Sequence, residues 1–260
     1  MTAEALLELA RSFRHAQDSK QAVPPPTQQL PWLTIDDAYA VQQLQIDARV
    51  SDGAVVRGYK IGLTSKAMQQ QFGIDQPDFG HLLDGSFLPE DRLIPIANYI
   101  QPKIEPEIAF VLGSPLAGPG VTVADARRAV DHVRASLELI DSRVADWHIT
   151  LVDTVADNAS SAGVILGASQ IKLGARDLAG VGCRFYIDQQ LVAEGDGAAV
   201  MGDPVNALVW LANELGARGV SFQPGDVILP GAMTASLPVS AGSVVRAQFD
   251  GLGQVTAAFA

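Results

Sequence analysis

Residues 103–112 read KIEPEIAFVL, and this segment limits what the chain can fold into more than any other. Its Ile, Ala, Phe, Val and Leu ask for a buried strand, yet it carries two carboxylates. With side chains alternating between faces, Glu105, Glu107, Ala109 and Val111 share one side, and Ile104, Pro106, Ile108, Phe110 and Leu112 share the other. Two like charges side by side in an interior are costly unless a cation neutralises them. Pro106 has no N–H to give to a ladder, so the spacing predicts an edge strand or a bulge there. A solvated strand face of alternating polarity accounts for this segment equally well on its own.

A second segment tilts the balance toward a cation. In SLELID (136–141), Glu138 lies between Leu137 and Leu139 and so on the face opposite theirs. Three carboxylates from two strands suit Mg2+ or Mn2+, which prefer hard oxygen ligands. His15, His81, His132 and His148 show no paired metal spacing, and the lone Cys183 excludes an intramolecular disulfide and a Cys-based zinc site. Lys60 sits between Tyr59 and Ile61 in GYKIGLTSK, a β-like run bounded by Gly58 and Gly62. Such a lysine either snorkels to the surface or serves as the cation for an anionic ligand. GIDQPDFGHLLD (73–84) reads as a tight loop holding Asp75, Asp78 and His81, although Asp and Pro are also ordinary turn formers. DTVADNASSAGVILG (153–167) reads as a helix or loop leading into a buried strand, with Asn158, Ser160 and Ser161 as hydrogen-bonding groups. There is no G-x-S-x-G elbow and no phosphate-binding GxxxxGK[ST], and the glycines of GDGAA and GLG read as turns.

The rest of the chain places these segments. Apolar periodicity predicts an amphipathic helix over 2–20, then a proline-rich linker (22–31), then a helix capped by Thr34 and running to about Val50. From residue 55 short β-rich runs dominate. Two helices interrupt them, at 122–135, capped by Thr122, and at 203–217, with Pro204 in the first turn. The expected class is α+β, with a helical N-terminal region (1–54) on a β-rich catalytic body (55–260), one structural domain overall. Strict strand–helix alternation is absent, which argues against a Rossmann or barrel fold. At 48% hydrophobic residues the 260-residue chain can bury a real core. With 29 acidic against 18 basic residues, its charge of −11 repels nucleic acid and anionic lipid. The first twenty residues lack the basic start and apolar run of a secretory signal, and no apolar run approaches a membrane span. A cytoplasmic protein without nucleic-acid or membrane partners is the expectation.

Four segments together resemble a known family: GYKIGLTSKAMQQQFGIDQPDFGHLLD, QPKIEPEIAFVL, LELIDSRVADWHITLVDTVADNASS and DVILPGAMTASLPVSAGS. In this order, and over nearly the whole chain from about residue 30, they are similar to the 2-keto-4-pentenoate hydratase / 4-oxalocrotonate decarboxylase family of the fumarylacetoacetate hydrolase superfamily. The resemblance implies a mixed β-roll of the fumarylacetoacetate hydrolase C-terminal type with a small helical N-terminal region. It places the family's metal ligands on Glu105, Glu107 and Glu138, its lysine on Lys60, its aspartate on Asp78 and its serine on Ser161, with Ser160 the neighbouring choice.

The chemistry implied is hydration of 2-hydroxypenta-2,4-dienoate or a close dienoate in the meta-cleavage breakdown of aromatic compounds. Mg2+ or Mn2+ is the implied cofactor and 4-hydroxy-2-oxopentanoate the product. DQPDFG leans toward the hydratase branch, and AMTASLPV leans toward 4-oxalocrotonate decarboxylase, which uses the same electron sink. A C–C bond hydrolase, which would need a histidine such as His81 to activate water, and a non-catalytic partner subunit are the remaining alternatives. Implied partners are a small 2-oxo or 2-hydroxy dienoate, further copies in a homo-oligomer, and a downstream aldolase or a sister decarboxylase or hydratase.

Overall fold

The structure is a computed structural model that describes residues 1–65, 69 and 76–260. Asp75, from the loop expected at 73–84, lies outside the described residues. The N-terminal segment forms α1 (Ala3–Ser19), α2 (Pro26–Gln29) and α3 (Ile35–Ser51). Further on come α4 (Val123–Ala129), α5 (Leu151–Ala156) and α6 (Pro204–Ala217). Thr34, Thr122 and Thr150 each open a helix with a capping box closed by Asp37, Asp125 and Asp153 respectively. Each box satisfies donors that the first turn leaves orphaned. Asp153 also accepts from the backbone and hydroxyl of Thr27, which ties α2 to α5. None of the described helices is long and apolar enough to cross a membrane.

Among the described residues the strands form two sheets. The larger contains β1 (Val56–Gly62), β2 (Asp78–Leu83), β3 (Phe87–Leu88), β5 (Lys103–Leu112), β6 (Val130–Ile140), β7 (Ser161–Leu166), β10 (Val227–Leu229) and β11 (Leu237–Pro238). Its order is β2-β1-β10-β5-β6-β7-β3, with β11 also pairing β5. The smaller sheet runs β4 (Leu93–Ile94), β13 (Gly253–Phe259), β12 (Val244–Phe249), β8 (Gly182–Ile187), β9 (Gln190–Asp196). Pairing is mostly antiparallel, with parallel contacts at β1–β10, β3–β7 and β13–β4. One face of the large sheet packs on the small sheet and carries the main core, including Ile104, Ile108, Phe110, Leu137, Leu139 and Ile165. The other face carries the carboxylates.

Three local expectations are corrected. The helix expected over 122–135 ends at Ala129, because Val130 begins β6, which pairs with β5 along its length. Val133, Ala135, Leu137 and Leu139, alternating with His132, Arg134, Ser136 and Glu138, satisfy a period of 2 that the helical reading overlooked. The loop expected at 73–84 contains β2 from Asp78 onward, because DFGHL registers in step against β1 from Gly62 back to Gly58, with a shift before Leu83 pairs Val56. Pro106 lies in an internal strand rather than at an edge or bulge. Its carbonyl accepts from Met233 N–H, so the side lacking a donor faces the gap where neither β10 nor β11 pairs with β5.

The outer face of β1 and β2 packs on α3. Tyr39 stacks on Phe79 with centroids 4.4 Å apart. Gln42 Nε2 donates to the carbonyls of Phe79 and Val155, which leaves its Oε1 to accept from His81 Nδ1 at 3.1 Å. Burial lowers the His81 pKa to about 4, below its ordinary 6.5, so the ring is neutral in the folded protein. Two outcomes are expected. Phe110→Ala, at a fully buried core position, lowers stability by about 3–5 kcal/mol in denaturant unfolding. Below pH 6.5 the unfolded chain protonates His81 while the folded chain does not, so stability falls as pH drops toward 4. That slope approaches about 1.4 kcal/mol per pH unit, and His81→Asn flattens it by the same amount.

Candidate metal centre

β5 and β6 pair so that Glu105 stands directly opposite Glu138, while Glu107 faces Ser136 two residues along. Strand alternation puts all three glutamates on one face. One carboxylate oxygen from each lies within 4.8 Å of the others. Glu107 and Glu138 have no exposed surface, and Glu105 is half-buried. Glu107 Oε2 accepts from Gly231 N–H at 2.8 Å, but its Oε1 and both oxygens of Glu138 have no hydrogen-bond partner. Burial drives the Glu138 pKa up to about 8, with Lys60 opposing and Glu105 adding to the shift. Burial likewise raises Glu107 well above the carboxylate range, reinforced by Glu138 and Glu105. Converging hard oxygens with orphaned lone pairs are the donor set a divalent cation takes.

Lys60 on β1 reaches the same cluster. Its Nζ lies 3.4 Å from Glu138 Oε2 and donates to the Ala159 carbonyl at 3.1 Å. Burial alone would lower its pKa, but Glu138, Asp78, Glu105 and Glu107 outweigh that and raise it, so the ammonium stays charged. The expectation that Lys60 is either a surface or a site cation thus resolves to the interior. Asp78 opens β2 opposite Gly62, two positions along β1 from Lys60 and on its face. A Cβ on Gly62 would come within 2.2 Å of Asp78 Oδ1, which explains the second glycine of GYKIG. Asp78 is buried with Oδ1 unpartnered, and burial raises its pKa against the pull of Lys60. His81 faces the other way, toward α3, and pairs with Tyr59 rather than with the carboxylates.

The ADNASS segment forms a turn beside Lys60. Asn158, Ala159 and Ser160 all have positive φ, near +50°. The Asn158 side chain brackets the His81 backbone, donating to its carbonyl and accepting from its N–H. The Ser160 hydroxyl lies 3.4 Å from Thr154 and 3.5 Å from Asp157. Ser161 begins β7 opposite Ile140, and its carbonyl accepts from Arg143. The structure therefore gathers Lys60, Asp78 and the three glutamates on one face, with Ser161 joined to them through the turn.

Two participants escaped the sequence reading, Arg143 and Asp157, which form a buried ion pair at 2.5 Å. Burial raises Asp157 to about 6 although Arg143 pulls it down. Arg143 follows Asp141 and Ser142, and Asp157 precedes Asn158, so neither stands out in the sequence as a buried charge. Their pairing across the chain has no local spacing that would announce it.

Comparison with known proteins places this geometry. Residues 63–260 match the family model described as fumarylacetoacetate (FAA) hydrolase C-terminal. The chain is 41% identical over 259 residues to a 2-keto-4-pentenoate hydratase of Paraburkholderia xenovorans (strain LB400), covering 100% of this chain and 96% of that protein. It is 36% identical over 257 residues to a 2-oxo-hept-4-ene-1,7-dioate hydratase of Escherichia coli, covering 96% of each. The solved 4-oxalocrotonate decarboxylase from Pseudomonas putida G7, complexed with magnesium and adipate, superposes with a TM-score of 0.96 at 35% identity, covering 100% of this chain and 99% of that one. The α+β mixed β-roll with its small helical N-terminal region is the expected fold, and the chain belongs to the fumarylacetoacetate hydrolase C-terminal family.

Proposed function

We propose that the chain is a hydro-lyase that hydrates 2-hydroxypenta-2,4-dienoate, or a close dienoate, to 4-hydroxy-2-oxopentanoate with a bound Mg2+ or Mn2+. The observation that carries this reading is the Glu105–Glu107–Glu138 cluster, with Glu107 Oε1 and both Glu138 oxygens lacking a hydrogen-bond partner and the Lys60 ammonium beside it. Full-length identity of 41% to a 2-keto-4-pentenoate hydratase supports the substrate class.

In this reading Glu105, Glu107 and Glu138 hold the cation, which supplies Lewis acidity toward the carboxylate and 2-oxo oxygens of the substrate. Lys60 sets a fixed positive charge against those oxygens where burial excludes water and the interaction is strong. Asp78 holds a proton at Oδ1 and delivers it to the terminal carbon of the dienol. The 2-hydroxyl releases its proton to solvent, from which Asp78 is reprotonated, and C2 becomes a carbonyl, leaving a 3-enoate. Water then adds at C4, with a proton taken up at C3. Ser161 is the serine that remains for the substrate, because the Ser160 hydroxyl is turned toward Thr154 and Asp157.

The superposition on 4-oxalocrotonate decarboxylase favours a second reading, in which loss of CO2 generates the dienolate at the same site. A hydrolase dependent on His81 is disfavoured, since that ring faces α3 and its Nδ1 is bound to Gln42. The same reading makes the protein cytoplasmic and homo-oligomeric, with a downstream aldolase or sister enzyme as partner. The exposed Trp32 and Leu93 are consistent with subunit contacts.

Purified protein is expected to remove the diene absorbance of 2-hydroxypenta-2,4-dienoate with Mg2+ present, to stop when EDTA is added, and to recover with Mg2+ or Mn2+. No metal-dependent loss of signal sinks the hydratase reading for that substrate, and CO2 release from 4-oxalocrotonate promotes the second. Glu107→Gln is expected to weaken metal affinity and activity together, by roughly 10- to 100-fold. Lys60→Ala should cut turnover by roughly 100-fold with metal still bound; an unchanged rate removes Lys60 from the reaction.

A further inference from the structure

One guanidinium holds both ends of the segment that receives Lys60. Arg143 Nη2 donates to the Asp157 carbonyl, and Nη1 donates to the carbonyls of Ser161 at 3.0 Å and Asp141 at 2.6 Å. Its Nε donates to Asp157 Oδ1 at 2.5 Å, and its backbone N–H donates to Asp157 Oδ2 at 3.0 Å. Between these anchors run Asn158, Ala159 and Ser160, all left-handed and none of them glycine. Each such conformation is unfavourable and persists only where the surroundings over-determine it. From the middle of the run the Ala159 carbonyl accepts the Lys60 ammonium at 3.1 Å, and that ammonium's ion-pair partner is Glu138 at 3.4 Å.

We propose that Arg143, with Asp157, is a positioning residue that sets where the Lys60 ammonium sits by fixing the Ala159 carbonyl. This rests on the reading that Lys60 serves the reaction. With the Ala159 carbonyl in place, Lys60 is held between it and Glu138 and keeps an N–H for the substrate. With the turn released, only the surrounding carboxylates direct the ammonium, and it closes on Glu138, its ion-pair partner, instead of facing the substrate. The fork geometry is essential, because a lysine at 143 retains the charge for Asp157 but one nitrogen cannot span the carbonyls at both ends of the turn.

A double-mutant cycle on the full chain tests this, with kcat and KM measured on the dienoate with Mg2+ and Mn2+ affinity measured by EPR titration. Arg143→Lys is expected to lower kcat by about 10-fold or more, with KM and Mn2+ affinity within about 3-fold of wild type. In a Lys60→Met background, the same substitution should change kcat by less than about 2-fold, because residues acting through one another are not additive. Losses that multiply, or a parallel fall in Mn2+ affinity, overturn the proposal. Asp157→Asn repeats the cycle where Arg143→Lys fails to fold. A readout independent of turnover is the 15N signal of the Lys60 ammonium, assigned by its loss in Lys60→Met. It should shift or broaden in Asp157→Asn, and an unchanged signal overturns the positioning role even in a wild type that does not hydrate the dienoate. Wild-type inactivity with a shifted signal overturns the hydration reading instead and leaves Arg143 in place.

Discussion

Three carboxylates share one buried patch, and much of the molecule is arranged around that repulsion. At separations near 4.8 Å and an effective dielectric of about 20, each like pair costs about 3.5 kcal/mol. Attraction between Lys60 and Glu138 at 3.4 Å returns about 5 kcal/mol on the same scale, and Lys60 also pulls on Glu105 and Glu107. Burial is the largest cause of the raised pKa values of Glu107 and Glu138, and the repulsion among the glutamates adds to it while Lys60 opposes both. A divalent cation would supply positive charge and take the orphaned oxygens as its ligands at once.

Holding those charges together falls to the sheet. Glu105 and Glu138 are cross-strand partners in its centre, backed by a core face of Ile104, Ile108, Leu137 and Leu139 that a slipped register would turn toward the carboxylates. The strands that bring Lys60 and Asp78 lie beyond β10, and their approach depends on missing side chains. Gly62 leaves room for the Asp78 carboxylate, and Gly231, at φ +126°, brings its N–H to Glu107 while its missing Cβ leaves space for Thr64. A rigid strand lattice thus supplies the anion cluster, while glycines let Lys60 and Asp78 come close.

Residues whose chemistry conflicts with their neighbourhood were legible in the sequence. Glu105, Glu107 and Glu138 declared themselves by interrupting apolar runs, and Lys60 by lying between Tyr59 and Ile61. The capped helices α3 and α6 were readable for a related reason, because Thr34 and Pro204 mark where donors would be orphaned. Elements whose identity depends on a partner strand were not readable. Val130–Ala135 has a plausible helical pattern, and only pairing with β5 converts it to strand. Pro106 looked like an edge because the gap opposite it is created by β10 and β11, more than a hundred residues away. Arg143 and Asp157 were hidden likewise, since a buried pair is a property of two chain segments and neither carries its signature alone.

The electron sink does not discriminate hydration from decarboxylation, because both routes place negative charge on the same 2-oxo acid oxygens. The choice is made at the other end of the substrate, where one route needs a proton on the terminal carbon and the other needs a carboxyl group to leave. In the proposed reading Asp78 is the group placed to make that choice. Burial raises its pKa, Oδ1 is unpartnered, and it stands two positions along the sheet from Lys60. An uncharged carboxyl group there donates a proton and tolerates an apolar vinyl terminus, whereas an ionised one would repel a second substrate carboxylate. In that reading the protonation state of Asp78 bears on substrate class as well as on chemistry, and Lys60, whose charge pulls the Asp78 pKa down, donates to the turn that Arg143 closes.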